Sequence, residues 1–189
     1  PRIRAVQGRT EIRQLILTSL TDYMPLALRM TVPLLRPDLV GKMPREPDVY
    51  RFQDLIRRHD GARPPAVSVD PVRDLALLQY TGGTTGLSKG AMLTHRNLVA
   101  NVCQLRAWMQ TAEEGKEKIL AVMPFFHVYG LTVCLNTAAL LAAELLLVPR
   151  FDVKQVLKLV HRERPTLFPG APTMYVAINQ YPNVSRYRL

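Results

Sequence analysis

The eleven residues from Tyr80 to Gly90, YTGGTTGLSKG, constrain the fold of this chain more than any other segment. They hold four glycines, four threonine or serine hydroxyls and one lysine, and a short apolar run lies on each side. Glycines allow backbone N–H groups to converge on a guest, hydroxyls add hydrogen-bond donors, and the lysine adds positive charge. This composition predicts a loop that wraps an anion, with a polyphosphate as the natural guest. A plain Gly-Thr turn between two strands is the alternative.

The glycine-rich loop differs from the two commonest phosphate-binding patterns. In the P-loop a lysine directly follows a glycine, whereas here Leu87 and Ser88 separate Gly86 from Lys89, and the dinucleotide pattern G-x-G-x-x-G is absent. The residues after the loop are typical of a strand, so a hairpin rather than a helix N-terminus would hold the anion. The predicted phosphate-binding residues are Thr81, Gly82, Gly83, Thr84, Thr85, Gly86, Ser88 and Lys89.

Along the rest of the chain, hydrophobic patterns typical of strands and of helices alternate. Short apolar runs predict strands, and apolar residues spaced three and four apart predict helices. The predicted strands are 13–19, 75–80, 91–93, 119–123, 144–148 and 166–168; the predicted helices are 26–34, 52–58, one capped by Thr94, 129–142, one between Asp152 and Pro165, and 172–179. This alternation is typical of βαβ units. We therefore predict an α/β fold with a mostly parallel sheet and flanking helices.

The two cysteines, Cys103 and Cys134, each lie in an apolar helical pattern. That setting predicts buried thiols rather than a disulfide or a pair of metal ligands. Trp108, near the end of the first of these helices, is expected in the core. Free buried thiols fit a reducing compartment, so we expect a cytoplasmic location. No cluster has the spacing of metal ligands, so we expect no metal ion held by side chains alone.

The chain is strongly basic, with 25 Lys and Arg against 15 Asp and Glu and a net charge of +10. Such a balance suits a nucleic acid, an anionic membrane surface or anionic ligands. The basic residues are dispersed in runs of at most two, so we expect no nucleic-acid partner.

The apolar segment 25–35 would rest on a membrane surface or pack on another part of the protein. The apolar segment 131–148 is long enough for a membrane span, but Asn136 and Glu144 favour a helix followed by a strand.

Three segments carry a resemblance to a known family. The run TGGTTGLSKGAMLTHRN at 81–97 resembles the phosphate-loop motif of the AMP-forming adenylating enzymes, which include acyl-CoA synthetases, luciferases and peptide-synthetase adenylation domains. The sequence of this run is most similar to that of bacterial long-chain fatty-acid–CoA ligases. MPFFHVYG at 123–130 resembles the next motif of the family, and the segment 165–175 weakly resembles the part that lines the acyl site. Order and spacing agree with the family.

The resemblance implies a reaction in two steps. A fatty-acid carboxylate attacks the α-phosphate of ATP, giving an acyl-adenylate and pyrophosphate, and the thiol of coenzyme A then displaces AMP. The glycine-rich loop would grip the β- and γ-phosphates, and Mg²⁺ would be bound chiefly through ATP oxygens. Phe126 and His127 would flank the carboxylate, with His127 as the catalytic candidate. The alternative is a structural histidine whose hydrogen bonds are satisfied at the end of a strand. Gly170, Ala171 and Pro172 would line the acyl site or simply form a turn.

The resemblance also implies a domain organisation. Residues 1–189 would be part of the large N-terminal domain of an adenylating enzyme, with 1–71 a loosely matched lead-in and 72–189 the phosphate-loop and acyl-site portion. Within the chain, the proline-rich stretch 36–71 is the only candidate boundary. The adenine pocket, the ribose-binding aspartate, the metal partner and a C-terminal domain with a catalytic lysine would lie in the remainder of the polypeptide. We therefore expect the excised piece, which begins with Pro1, to be inactive alone.

Three rival functions stay open. An aryl-CoA ligase would share the same motifs and differ in its acyl pocket. A basic nucleic-acid-binding domain would need its arginines gathered on one face. A non-catalytic interaction domain would retain the fold without the chemistry.

Overall fold

The computed structural model describes residues 2–35, 37, 40, 44, 46–81 and 89–189. Contacts divide the chain into two compact units, the first ending at Val67 and the second running from Ser68 to Leu189. This division falls inside the proline-rich stretch 36–71. Both units contain helices and paired strands, so the α/β class predicted from the sequence is confirmed.

The first unit is a small parallel strand pair with short helices. Its elements are α1 (Arg2–Gln7), β1 (Leu15–Leu17), a 3-10 turn (Leu20–Tyr23), α2 (Leu26–Leu35), β2 (Val49–Arg51) and α3 (Phe52–Arg58). Arg4 joins α1 to the entry of β2, because its Nη1 atom lies 2.6 Å from Asp48 Oδ2. That hydrogen bond holds the pKa of the Asp48 carboxyl well below its usual range.

A hairpin opens the second unit. Strands β3 (Leu75–Thr81) and β4 (Lys89–Thr94) pair antiparallel, and their last matched pair is Thr81 with Lys89. Helix α4 (His95–Trp108) follows at once. It begins with a capping box: Thr94 Oγ1 accepts from Asn97 N at 3.4 Å, and Asn97 Oδ1 accepts from Thr94 N at 2.9 Å. This exchange satisfies two backbone donors and explains why the chain turns from strand to helix at Thr94.

Parallel strands and two helical layers form the rest of the second unit. The elements are β5 (Lys118–Ala121), α5 (Val128–Gly130), a π-helical turn (Leu131–Asn136), α6 (Thr137–Leu141), β6 (Glu144–Leu147), α7 (Val153–Glu163) and α8 (Pro172–Asn179). Strand β5 pairs in parallel with β6 on one side. On its other side it meets Leu167 in a parallel bridge, with Leu120 N donating to Leu167 O at 2.9 Å.

The core of the second unit is built on the two faces of β5. Successive strand residues point to opposite faces, so Leu120 joins the cluster of Val156, Leu157 and Ile178, whereas Ile119 joins the cluster of Cys134 and Ala138. Helices α7 and α8 therefore cover one face, and the π-helical turn and α6 cover the other. Full burial of each large aliphatic side chain contributes about 1.5–3 kcal/mol, which anchors β5 and the loop that leaves it.

The sheet arrangement differs from the sequence prediction in one respect. Among the described residues the strands form three separate two-stranded sheets, two parallel and one antiparallel, rather than one mostly parallel sheet. The predicted strand at 166–168 is reduced to the single bridge at Leu167. Strands β3 and β4 hydrogen-bond to each other, so each satisfies the backbone groups on one of its sides without a third strand.

Two predicted core residues lie on the surface. Cys103 is exposed while Cys134 is buried, so the prediction of two buried thiols is wrong for Cys103. Trp108 is 87% exposed, which contradicts its expected place in the core. The reason is the narrow contact face of α4, on which Val102 is buried and its sequence neighbour Cys103 points about 100° away.

No helix in the described part of the chain is both long and apolar enough to cross a membrane. The apolar segment 131–148 is instead a helix followed by β6, as the sequence predicts.

We expect Asp152→Ala to destabilise the second unit by about 1 kcal/mol, because Asp152 caps α7. Its Oδ1 atom accepts from Gln155 N at 2.8 Å. Equilibrium unfolding in urea measures the change. Asp152→Asn keeps the cap acceptor and is the matched control; equal losses in both variants would show that charge, rather than capping, matters at this position.

Candidate functional site

The candidate site lies at one edge of the parallel strands. Strand β5, strand β6 and the Leu167 bridge all run in the same direction, so the segments that leave them emerge at one edge. Those segments are 122–127, 148–152 and 168–171. In open α/β sheets ligands gather outside the carboxyl ends of the strands, which is where the sequence-predicted residues Phe126, His127 and Gly170 now lie.

His127 is exposed and caps the helix that begins with α5. Its Nδ1 atom accepts from Tyr129 N at 3.1 Å, and its own backbone N donates to Pro124 O at 3.1 Å. A neutral imidazole that accepts at Nδ1 carries its proton on Nε2. The cap therefore fixes the ring and leaves an Nε2–H donor for an anionic oxygen.

Phe126 lies beside His127 and is 84% exposed. Its backbone carbonyl lies 3.5 Å from Gln79 Nε2, which belongs to β3. The structure thus brings the strand that enters the glycine-rich loop alongside the loop that carries His127. Gln79 and Phe126, which are 47 positions apart in the sequence, become neighbours through this contact.

Thr81 and Lys89 are the only predicted phosphate-binding residues within the described part of the chain. They face each other as the last pair of the β3–β4 hairpin, and Thr81 Oγ1 lies 3.4 Å from Lys89 O. Among the described residues no carboxylate pairs with the exposed Lys89 side chain. Gly82, Gly83, Thr84, Thr85, Gly86 and Ser88 lie outside the described residues, so their role stays a prediction.

The predicted acyl-site residues Gly170, Ala171 and Pro172 form the entry to α8, with Ala171 as its cap and Pro172 as its first residue. A Cβ atom on Gly170 would lie 3.1 Å from Tyr175 Oη, so glycine allows that ring to close over the turn. Tyr175 Oη donates to Phe168 O at 2.7 Å, and the Phe168 and Tyr175 rings meet edge to face at 5.5 Å. The turn is therefore held by Tyr175, and its acyl-site role stays a prediction.

Tyr129, two residues after His127, is a residue that sequence reasoning did not single out. Burial raises the pKa of its phenol, and the neighbouring Tyr175 and Cys134 raise it further. Tyr129 and Tyr175 are thus close enough to interact electrostatically. The sequence signal was available, since both are tyrosines within the two motif segments, but their proximity depends on the tertiary fold.

Gly130 is the second residue that sequence reasoning missed. It is buried, and a Cβ atom there would lie 2.9 Å from Met123 O and overlap the Pro124 carbonyl. The helix therefore starts in direct backbone contact with the turn that presents His127. A π-helical turn follows, and Thr137, the first residue of α6, donates from its Oγ1 atom to Thr132 O within that turn at 2.8 Å. Such turns recur at functional sites.

In the described part of the chain, no group of three or more His, Cys, Asp or Glu side chains is placed to hold a metal ion.

Comparison with known proteins identifies the family. The chain matches the family model of AMP-binding enzymes over residues 16–188. It is 40% identical over 179 residues to a long-chain-fatty-acid–CoA ligase of Bacillus subtilis, covering 94% of this chain and 32% of that relative. It is 32% identical over 157 residues to a 4-coumarate–CoA ligase of Humulus lupulus, covering 79% of this chain and 27% of that relative. The chain thus spans about a third of the length of these relatives.

Solved structures agree on the fold. The N-terminal domain of FACL13 from Mycobacterium tuberculosis superposes with a TM-score of 0.65 at 21% identity, covering 100% of this chain and 45% of that one. The α/β fold described above is therefore shared with the N-terminal domain of FACL13.

Proposed function

The chain belongs to the AMP-binding enzyme family, and we propose that the protein is an ATP-dependent fatty-acyl-CoA ligase. In this proposal, residues 72–189 supply the phosphate-binding loop and one wall of the acyl site of an N-terminal adenylating domain. Residues 1–71 are the segment that leads into that domain. The observation that carries the proposal is the contact of Gln79 with the Phe126 carbonyl, which sets the phosphate-loop hairpin beside the His127 segment.

The proposed chemistry needs these two elements together. The carboxylate of the fatty acid must approach the α-phosphate of ATP while the β- and γ-phosphates are held in place. Lys89 and the hydroxyls of the loop would hold the phosphates, since charge-assisted hydrogen bonds to phosphate are the stronger kind. Pyrophosphate then leaves, and the thiol of coenzyme A attacks the acyl carbonyl and displaces AMP. ATP, fatty acid and coenzyme A are thus the proposed partners.

His127 would orient the fatty-acid carboxylate. Its Nδ1 atom is engaged by the helix backbone, so the Nε2–H group is the one that can donate to a carboxylate oxygen. Phe126, at its side, exposes an aromatic face that suits the first carbons of an acyl chain. Mg²⁺ would enter with ATP, held mainly by phosphate oxygens.

The substrate class rests on the relatives. Identity to the Bacillus subtilis fatty-acid ligase is 40%, against 32% to the 4-coumarate ligase, and the former alignment also covers more of this chain. This difference favours a fatty acid over an aryl acid.

Peripheral contact with a membrane is a further part of the proposal, together with a cytoplasmic location. Its support is α2, in which no residue is buried and Leu34 is 83% exposed. Packing of α2 against other parts of the protein is the alternative.

We expect His127→Ala in the complete protein to raise the KM for fatty acid by about tenfold, the effect of losing one hydrogen bond to a charged group, and to change the KM for ATP much less. Steady-state kinetics with each substrate varied measures the split. His127→Ser is the matched control, because serine can still cap the helix but its hydroxyl does not reach as far. If His127→Ser behaves like the wild type, His127 acts only as a cap.

A further inference from the structure

The exposed side of α7 carries positive charge outside the site described above. Lys154, Lys158 and Arg162 repeat every four residues, so they lie along one face of the helix, and Arg150 precedes it. Val156 and Leu157 are fully buried on the opposite face. The helix therefore cannot turn these charges inward, and they form a fixed part of the surface.

Three of these cations line one cleft between β6 and α7. The cleft has a volume of about 510 Å³, and Arg150, Lys158 and Arg162 line it together with Gln155, Leu147 and Leu159. Among the residues that the structure describes, no acidic side chain lines it. Lys154 belongs to the same helix but not to the lining.

Most of this charge is not neutralised. Arg162 Nε lies 2.6 Å from Glu163 Oε1, so one carboxylate offsets part of the Arg162 charge. In the described part of the chain no carboxylate pairs with Arg150 or Lys158. Three cations converging on a concave surface, with one partial counter-charge, favour an anionic guest over solvent alone.

The cleft adjoins a second groove beside the segment that leaves β5. This groove has a volume of about 300 Å³ and is lined by Met123 and Phe125, and it shares Leu147, Val148 and Pro149 with the cleft. A guest with its anionic end in the cleft would thus have an apolar path along the edge of the sheet. Phe125 lies two residues before His127.

We propose that this cleft binds a phosphate group of a small soluble ligand, and that the uncharged part of the ligand lies in the groove beside Phe125. Arginine suits phosphate because its planar guanidinium donates two parallel hydrogen bonds, and lysine adds a point charge. Coenzyme A and free pyrophosphate share this chemistry. The site is separate from the glycine-rich loop, and it does not depend on the proposed ligase activity.

The test compares two lysines on one helix. The complete protein is treated with a lysine-acetylating reagent, and mass spectrometry follows the rate of modification of Lys158 and of Lys154. The probes are adenosine 3′,5′-bisphosphate, coenzyme A, inorganic pyrophosphate and pantetheine, which has no phosphate. We expect saturating phosphorylated probe to slow modification of Lys158 about tenfold and that of Lys154 less than about twofold, and pantetheine to protect neither.

Two variants and a separate measurement with phosphatidic-acid vesicles complete the experiment. Arg150→Gln should weaken protection of Lys158 about tenfold, whereas Lys89→Ala should leave it unchanged. Protection by coenzyme A and the bisphosphate assigns the ligand to a phosphorylated thiol, and protection by pyrophosphate alone assigns it to free phosphate; both support the site. Equal protection of the two lysines, protection only by phosphatidic-acid vesicles, or none with any probe would overturn it.

Discussion

Replacing Lys89 with alanine in the complete protein should slow adenylate formation by about ten- to a hundredfold. Lys89 is the positive charge at the mouth of the β3–β4 hairpin, opposite Thr81, and no carboxylate among the described residues competes for it. Losing one charge-assisted contact to phosphate costs about 1.5–3 kcal/mol, which corresponds to this range. Release of pyrophosphate from ATP and fatty acid measures the first step. Thioester formation from supplied acyl-adenylate should change much less.

The control for this experiment is Lys116→Ala. Lys116 is an exposed lysine just before β5 that pairs with Glu113, so its loss removes the same charge near the amino end of β5, away from the candidate site at the carboxyl end. It should leave both steps at wild-type rates. Lys89→Arg keeps the charge and should recover part of the first step. Wild-type adenylate formation in Lys89→Ala would remove Lys89 from the phosphate site.

Helices α7 and α8 show what the sequence alone can predict. The sequence places a helix between Asp152 and Pro165, and α7 spans Val153–Glu163; it places another at 172–179, and α8 spans Pro172–Asn179. In both cases the ends are set by residues close in sequence: an aspartate that caps, a proline that cannot continue a helix, or a proline suited to its first turn. Such signals do not depend on the tertiary fold.

The pairing of the strands and the exposure of individual side chains were harder to predict from the sequence. The alternating pattern predicts parallel strands, and β5 and β6 are parallel, but nothing local specifies that the strands divide into separate pairs. Cys103 and Trp108 lie in an apolar pattern and are nevertheless exposed, because burial depends on what packs against α4. Apolar periodicity identifies a helix more reliably than it identifies which elements pack against that helix.

The same distinction holds for the candidate site: features set by local sequence were predicted, and features set by tertiary contacts were not. The sequence placed His127 at the end of a strand, and it does follow β5. It could not show that Tyr129 N engages the Nδ1 atom of that ring, or that Tyr129 lies near Tyr175. Those features join residues through three-dimensional contacts, and they set which imidazole nitrogen is available to a substrate.

Of the glycines that the structure describes, Gly130 has the least room for a side chain, and we expect Gly130→Ala to cause a large loss of stability. The added Cβ would lie 2.9 Å from Met123 O and overlap the Pro124 carbonyl, and both atoms belong to a backbone that cannot rotate away like a side chain. Overpacking of this kind costs about 1–3 kcal/mol or more. Thermal unfolding of the complete protein should show a lower Tm.

The same substitution should also impair catalysis, because the helix start and the His127 turn share backbone bonds. His127 N donates to Pro124 O at 3.1 Å and Leu131 N donates to His127 O at 2.9 Å, so pushing Gly130 outward moves the imidazole. We expect the KM for fatty acid to rise in any Gly130→Ala protein that folds. Gly90→Ala is the stability control, since its Cβ would meet only the Tyr80 ring at 3.5 Å, an ordinary contact. An unchanged Tm in Gly130→Ala would show that the Pro124 turn moves without cost and that position 130 tolerates a side chain.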